Sequence, residues 1–225
     1  MPKGAPDAVI LDCDGVLFDS VAANVAFYNA ILETLGEAPL TLEQEGCAHA
    51  LSSPQVLEEL FGHAPSRYAA ALGVAATIDY RPFLRLMAPV DGLHEVLCDL
   101  RTTYRLALAT NRGRTIPDLL QRFDLEDTFD VVVGILDVAR PKPHPDMLIE
   151  CARRLGPACR SAVYVGDSPS DGVAARAAGM PFVAVGDRCD HSLRIGHLRE
   201  LPGLLVRARG SDLSQSAGES TKSGR

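Results

Sequence analysis

Four short segments, far apart in the chain, gather side chains whose types and spacing suit chemistry. The first, Asp12-Cys13-Asp14-Gly15-Val16-Leu17-Phe18-Asp19-Ser20, puts two carboxylates two residues apart ahead of a glycine. The second is Thr110-Asn111-Arg112, and the third is Arg140-Pro141-Lys142-Pro143-His144-Pro145. The fourth, Gly166-Asp167-Ser168-Pro169-Ser170-Asp171, adds two more carboxylates one helical turn apart. Lysine is scarce here. Lys3, Lys142 and Lys222 are the three in the chain, so a lysine in its middle, between prolines, stands out.

Carboxylates, one ammonium and a hydroxyl together suit a phosphate ester. A phosphomonoester dianion repels an anionic nucleophile, so its charge must be neutralised before a carboxylate can attack. Magnesium does this with one or two carboxylates, a carbonyl, waters and a phosphate oxygen. The ion is expected at Asp12, Asp14 and Asp167, with the carboxylates of Asp12 and Asp167 as ligands. Lys142 supplies a fixed positive charge, and Thr110 and Asn111 hold the remaining oxygens through a hydroxyl and backbone N–H groups. Asp12 then acts as nucleophile and forms an aspartyl-phosphate. Asp14 protonates the leaving oxygen and later deprotonates the attacking water. Gly15 allows the turn that brings the backbone close to the ligand, and Asp171 orients Lys142 or a metal-bound water. Taken singly, each piece has an ordinary structural reading as a turn, a helix cap or a loop residue.

The elements that would position these residues are readable as alternation. Ala8-Val9-Ile10-Leu11 is a short apolar run ending at Asp12 and reads as a buried parallel strand. Residues 20–88 hold no comparable strand; Val21, Val25, Tyr28, Ile31, Leu32 and Leu35 recur at helical spacing, and turn signals divide the region into four or five helices. Beyond Pro89, helices at 93–102, 115–122, 145–155 and 170–178 alternate with strands at Arg105–Ala109, Val131–Val133, Ala162–Val165 and Phe182–Val185. Such alternation predicts an α/β fold, a parallel sheet with helices on both faces. In an open parallel sheet, ligands bind beyond the carboxyl ends of the strands, and the four segments fall at or near those ends. Residues 1–19 and 89–209 then form the core, 20–88 a helical cap inserted after the first strand, and 210–225, rich in Ser and Gly, a disordered tail.

Composition sets further bounds. A net charge of −7 with scattered basic residues argues against nucleic acid or an anionic membrane as partner. No apolar stretch has the roughly 18 residues of a membrane helix, and a secretory leader pattern is missing at the N-terminus. A cytoplasmic enzyme, monomer or homodimer, acting on a small phosphorylated metabolite is the expectation. The six cysteines form no C-x-x-C pair or zinc-type cluster and read as reduced thiols. Cys13, between two acidic residues, is expected to pack away from the metal.

These motifs, in this order, resemble those of the haloacid dehalogenase-like (HAD) hydrolase superfamily. Asp12 to Ser20 resembles its first motif, Thr110-Asn111 its second, Lys142 in Lys-Pro-His-Pro its third, and Gly166 to Asp171 its fourth. The resemblance spans the chain except the tail. It implies a Rossmann-like core with the first strand central and a small cap that closes to exclude water.

Within that superfamily, Asp14 argues against carbon–halogen cleavage, which has no use for an acid there. The lack of any lysine in 20–88 rules out a phosphonatase-like Schiff base. A phosphoglycolate-phosphatase-like hydrolase and a β-phosphoglucomutase-like mutase remain, with a non-catalytic phospho-ligand binder behind them. The cap stretch Glu45-Gly46-Cys47-Ala48-His49 lacks the basic pair that such mutases place around a glycine, which favours hydrolysis. It also lacks a cap arginine for the carboxylate of phosphoglycolate. His49 and Arg112 are candidate substrate contacts.

Overall fold

A computed structural model describes residues 6–50 and 53–208 of the chain, so the expected tail at 210–225 lies outside the described residues. The chain opens with β1 (Ala8–Leu11) and a two-residue strand β2 (Phe18–Asp19). It then enters four helices, α1 (Val21–Thr34), α2 (Leu42–Ala50), α3 (Ser53–Phe61) and α4 (Pro65–Thr77), and a 3-10 turn at Arg81–Leu86. The return is β3 (Ala88–Pro89), followed by α5 (Leu93–Arg101), β4 (Arg105–Ala109), α6 (Ile116–Arg122) and β5 (Val131–Val133). Next come α7 (Asp146–Leu155), β6 (Ala162–Gly166), α8 (Pro169–Ala177), β7 (Phe182–Val185) and β8 (Arg194–Ile195), and residues 201–208 are helical.

Six strands form one parallel sheet in the order β5-β4-β1-β6-β7-β8. All four residues of β1 are buried, because this interior strand is covered on both faces. Successive side chains alternate between the faces. Val9 and Leu11 join one apolar cluster with α5, α6 and Leu201 and Leu205. Ala8 and Ile10 join the other, with α7 and α8. The chain leaving β1 and β4 thus returns over one face, and the chain leaving β5 and β6 returns over the other. The neighbours β1 and β6 consequently part in opposite directions, which opens a crevice at their carboxyl ends.

The helices of 21–77 have their own apolar cluster. In α1, Phe27, Tyr28, Ile31 and Leu32 are buried at three- and four-residue spacing and meet Val56, Leu57, Phe61 and Ala71 from α3 and α4, while Ala23 packs into the cluster of the sheet core. The two connections to the core run side by side, since β2 and β3 pair antiparallel with Phe18 opposite Pro89 and Asp19 opposite Ala88. Among the described residues, no helix is long and apolar enough to cross a membrane.

Candidate active site

The carboxyl ends of β1, β4 and β6 bring Asp12, Thr110 and Asp167 to one rim. Asp12 follows β1 directly and its N–H bonds the Val165 carbonyl of β6 at 2.9 Å, so the neighbouring strand fixes its main chain. Gly15, at φ +77, turns the chain sharply beyond it. A Cβ there would collide with the Asp167 carboxylate, and a side chain with that backbone would be strained, so the position admits glycine for two reasons.

Lys142 is the centre of the rim. Its side chain is 3% exposed, and Nζ lies 2.7 Å from Asp12 Oδ1 and 2.8 Å from Asp171 Oδ1. A third bond, at 3.0 Å, goes to the Tyr164 hydroxyl, which in turn donates to Asp171 Oδ1 at 2.7 Å. The lysine backbone is fixed as well. Asn111 Oδ1 accepts from the Lys142 N–H at 3.0 Å, and Asn111 Nδ2 donates to the Lys142 carbonyl at 3.2 Å. Asn111, expected to hold phosphate, therefore has its amide side chain engaged with the third segment, and only its main chain remains for that role.

Asp171 begins α8 in a capping box. Its Oδ2 accepts from the Ser168 N–H at 3.1 Å and the Ser168 hydroxyl at 2.6 Å, while its own N–H bonds Ser168 Oγ. The contact with Lys142 expected of Asp171 is in place. The Thr110 hydroxyl accepts from the Arg112 N–H at 3.1 Å, which leaves its proton free to donate. Arg188, beyond β7, bonds Asp167 Oδ2 at 2.8 Å.

Asp14 points elsewhere. Arg112 grips it with two parallel bonds, Nε to Oδ2 at 2.8 Å and Nη2 to Oδ1 at 2.6 Å. Among the described residues, the clustered carboxylates that could share a metal ion are Asp12, Asp167 and Asp171, whose oxygens lie within 4.8 Å of one another. The Asp14 carboxylate is outside that group.

Burial and charge set the protonation of the rim. Burial pushes the Asp12 carboxyl up; Lys142 opposes this, while the charges of Asp171 and Asp167 add to it. Burial likewise raises Asp167, helped by Asp171 and resisted by Arg188, to about 6. Burial would raise Asp171 too, but Lys142, Ser168 and Tyr164 hold it below the usual carboxylate range. Against the same effect of burial, Arg112 keeps Asp14 low. Burial would lower Lys142, but Asp12 and Asp171 outweigh it and keep the ammonium charged. Cys13 is fully buried in the apolar cluster beside β1, and burial raises its thiol far above the ordinary range.

A cavity of about 510 Å³ lies between the helical segment and the rim. Asp14, Asn111, Arg112 and Arg114 line it from the core, and Asn24, Phe27 and Tyr80 from the other side. His49 falls on α2, but its side chain lies outside the described residues. Arg112 does line the cavity, yet its guanidinium is turned onto Asp14.

Three participants escape the sequence reading. Tyr164 sits mid-strand in Ala-Val-Tyr-Val-Gly and looks like packing; a hydroxyl inside a buried strand, which must find a partner, is the signal. Arg188 follows β7, and its place just past the carboxyl end of a buried strand is the signal. Tyr80 touches Arg112 from a connection with no regular pattern.

Comparison with known proteins agrees with this geometry. The family model described as haloacid dehalogenase-like hydrolase matches residues 9–185. The chain belongs to that family. A phosphoglycolate phosphatase of Xanthomonas campestris pv. campestris is 34% identical over 182 residues, covering 80% of this chain and 82% of its own. A β-phosphoglucomutase of Bacillus subtilis is 28% identical, covering 80% and 83%. A HAD-superfamily hydrolase of subfamily IA from Geobacter sulfurreducens superposes with a TM-score of 0.71 at 39% identity, covering 90% of this chain and 97% of that one. Family and relatives together make the chain a phosphohydrolase.

Proposed function

We propose that this enzyme hydrolyses a small organic phosphate monoester, resembling phosphoglycolate or a sugar phosphate, with magnesium and through an aspartyl-phosphate on Asp12. The observation that carries the reading is the contact of the Lys142 ammonium with Asp12, buried beside Asp167 in the crevice between β1 and β6. The rim also fits a hard cation. Four carboxylates (Asp12, Asp14, Asp167 and Asp171) face three cations (Lys142, Arg112 and Arg188), and the unbalanced charge lies on oxygen donors, which suit magnesium. Asp12 and Asp167 would hold the ion with their carboxylates, and Asp14 with its main-chain oxygen. Bound there, magnesium would neutralise phosphate oxygens and so lower the repulsion that the nucleophile meets.

The residues then divide the work. Asp12 attacks phosphorus, the bond to the ester oxygen breaks, and that oxygen takes a proton from Asp14, which Arg112 otherwise holds ionised. Lys142 and Thr110 balance the charge on the transferred group. In the second half, water attacks the phosphorus, its proton passes to Asp14, and the electron pair of the broken bond returns to Asp12. Asn111, Tyr164 and Asp171 keep Lys142 in place throughout.

A phosphate-release screen over a panel of small phosphorylated metabolites, with magnesium and with chelator, tests this. Release is expected for some esters, abolished by chelator and reduced on the order of 10⁴-fold by Asp12→Asn. Turnover by Asp12→Asn at the wild-type rate would end the proposal. Interconversion of hexose phosphates that needs a bisphosphate activator, without net phosphate release, would move the enzyme to the mutase reading.

A further inference from the structure

Four side chains, Arg112, Tyr80, Asn24 and Ser20, run as a hydrogen-bonded chain beside the Asp14 carboxylate. Arg112 gives it two bonds of 2.8 and 2.6 Å, and the buried Ser20 hydroxyl, close by, helps to keep it ionised. Arg112 is itself held by Tyr80, which accepts from Nη2 at 3.3 Å and lays its ring 5.0 Å from the guanidinium carbon. The Tyr80 hydroxyl donates to Asn24 Oδ1 at 2.8 Å, and Asn24 Nδ2 reaches back to Ser20 Oγ at 3.4 Å. Ser20 belongs to the outgoing connection, Asn24 to the first turn of α1, Tyr80 to the returning connection, and Asp14 and Arg112 to the rim. A planar guanidinium bonded at two points fixes the plane of a carboxylate, which a single contact cannot do. The two oxygens still have lone pairs left over to accept a proton.

We infer that Arg112 is the positioning residue for Asp14, and that Tyr80 holds Arg112 in the pose that makes it so. This rests on the reaction proposed above. The step it governs is the second half of the cycle. Water oxygen bonds to phosphorus, the phosphorus–oxygen bond to Asp12 breaks with its electron pair returning to that carboxylate, and the water proton goes to an oxygen of Asp14. A carboxylate free to turn meets that proton less often, and misplacement by about 1 Å costs on the order of 10²-fold.

The test is rapid-quench kinetics with magnesium and p-nitrophenyl phosphate, whose phenolate leaves without needing a proton. Transfer onto Asp12 then survives a fault at Asp14, and the hydrolysis of the phosphoenzyme does not. Arg112→Met is expected to release a near-stoichiometric burst of nitrophenol, to accumulate phosphorylated protein visible by intact mass, and to lower kcat roughly 10²-fold while kcat/KM stays within about tenfold. Arg112→Lys, which keeps the charge without the two-point grip, should recover part of kcat. Should Arg112→Met fail to fold, Tyr80→Phe asks the same question, with a smaller fall in kcat and the same phosphoprotein. A raised KM at unchanged kcat with no phosphoprotein would make Arg112 a substrate contact and overturn the inference. So would a burst and trapped phosphoprotein in Asp14→Asn that neither Arg112→Met nor Tyr80→Phe reproduces; that outcome leaves the hydrolytic reading standing. A wild-type protein that releases no phosphate from any ester would remove both.

Discussion

The rim of the sheet and the helical segment over it are built on opposite terms. At the rim, buried polar groups such as Asp12, Thr110, Lys142, Asp167 and Asp171 stand against one another, each bonded to named partners. In the helical segment, the interior is an apolar cluster that includes Phe27, Ile31, Leu32, Val56, Leu57 and Phe61. An apolar core accepts swaps that conserve volume at a cost usually under about 1.5 kcal/mol. A buried ion pair that loses one partner is far less forgiving. The rim is therefore the part that can change least without loss of reaction, and the helical segment the part that can drift and choose a different ester.

The largest effect should come from Lys142→Met. It strips the cation from two buried carboxylates, so phosphate release should fall on the order of 10³-fold. Urea unfolding should show a loss of about 3–5 kcal/mol. Activity within tenfold of wild type would show that the rim does not depend on its ion pairs.

Magnesium should sharpen the contrast next. Asp167 titrates at about 6 in the folded chain, above its ordinary 3.8, so the native state keeps a proton that the unfolded chain gives up between those values. Its contribution to the stability of metal-free protein is complete below about pH 4 and lost as pH rises through about 6. The cation needs the deprotonated carboxylate, so its effect runs the other way. At a hundred times its Kd, magnesium should stabilise by about 2.7 kcal/mol near pH 7.5, roughly 5–11 °C in Tm for a chain this size, shrinking toward zero near pH 5. Scanning calorimetry with and without the ion checks both slopes, and an ion with no effect at pH 7.5 would leave the carboxylates without their proposed occupant.

The smallest effect belongs to the other region. Ala76, exposed on α4, lines the cavity. Ala76→Leu should reorder kcat/KM among esters by about tenfold, and kcat for p-nitrophenyl phosphate should hold within about threefold. A change in kcat as large as that of Lys142→Met would erase the division between regions.

Much of the rim was legible because the physics there is local. A strand buried on both faces is an apolar run, so β1, β4, β5, β6 and β7 showed themselves, and polar residues just past such runs must lie at the rim. Other features depend on topology. The pair Asp14–Arg112 spans 98 positions and exists because β1 and β4 are neighbours. Two-residue strands such as β2, β3 and β8 are too short to show a period. Asn111 read as a phosphate ligand because a strand end was all the sequence offered; its grip on the Lys142 backbone needed the third segment folded against it.

The ribbon of Phe18–Asp19 against Ala88–Pro89 has one more implication. To the sheet, all of 20–87 is the tip of a hairpin, leaving and re-entering at one spot. Doubling the length of such a tip costs only about 0.6 kcal/mol in closure entropy, and strand order is untouched by whatever it contains. Reactive machinery and ester selection can thus be inherited separately, one by retaining the sheet and the other by trading what hangs from a two-rung ladder.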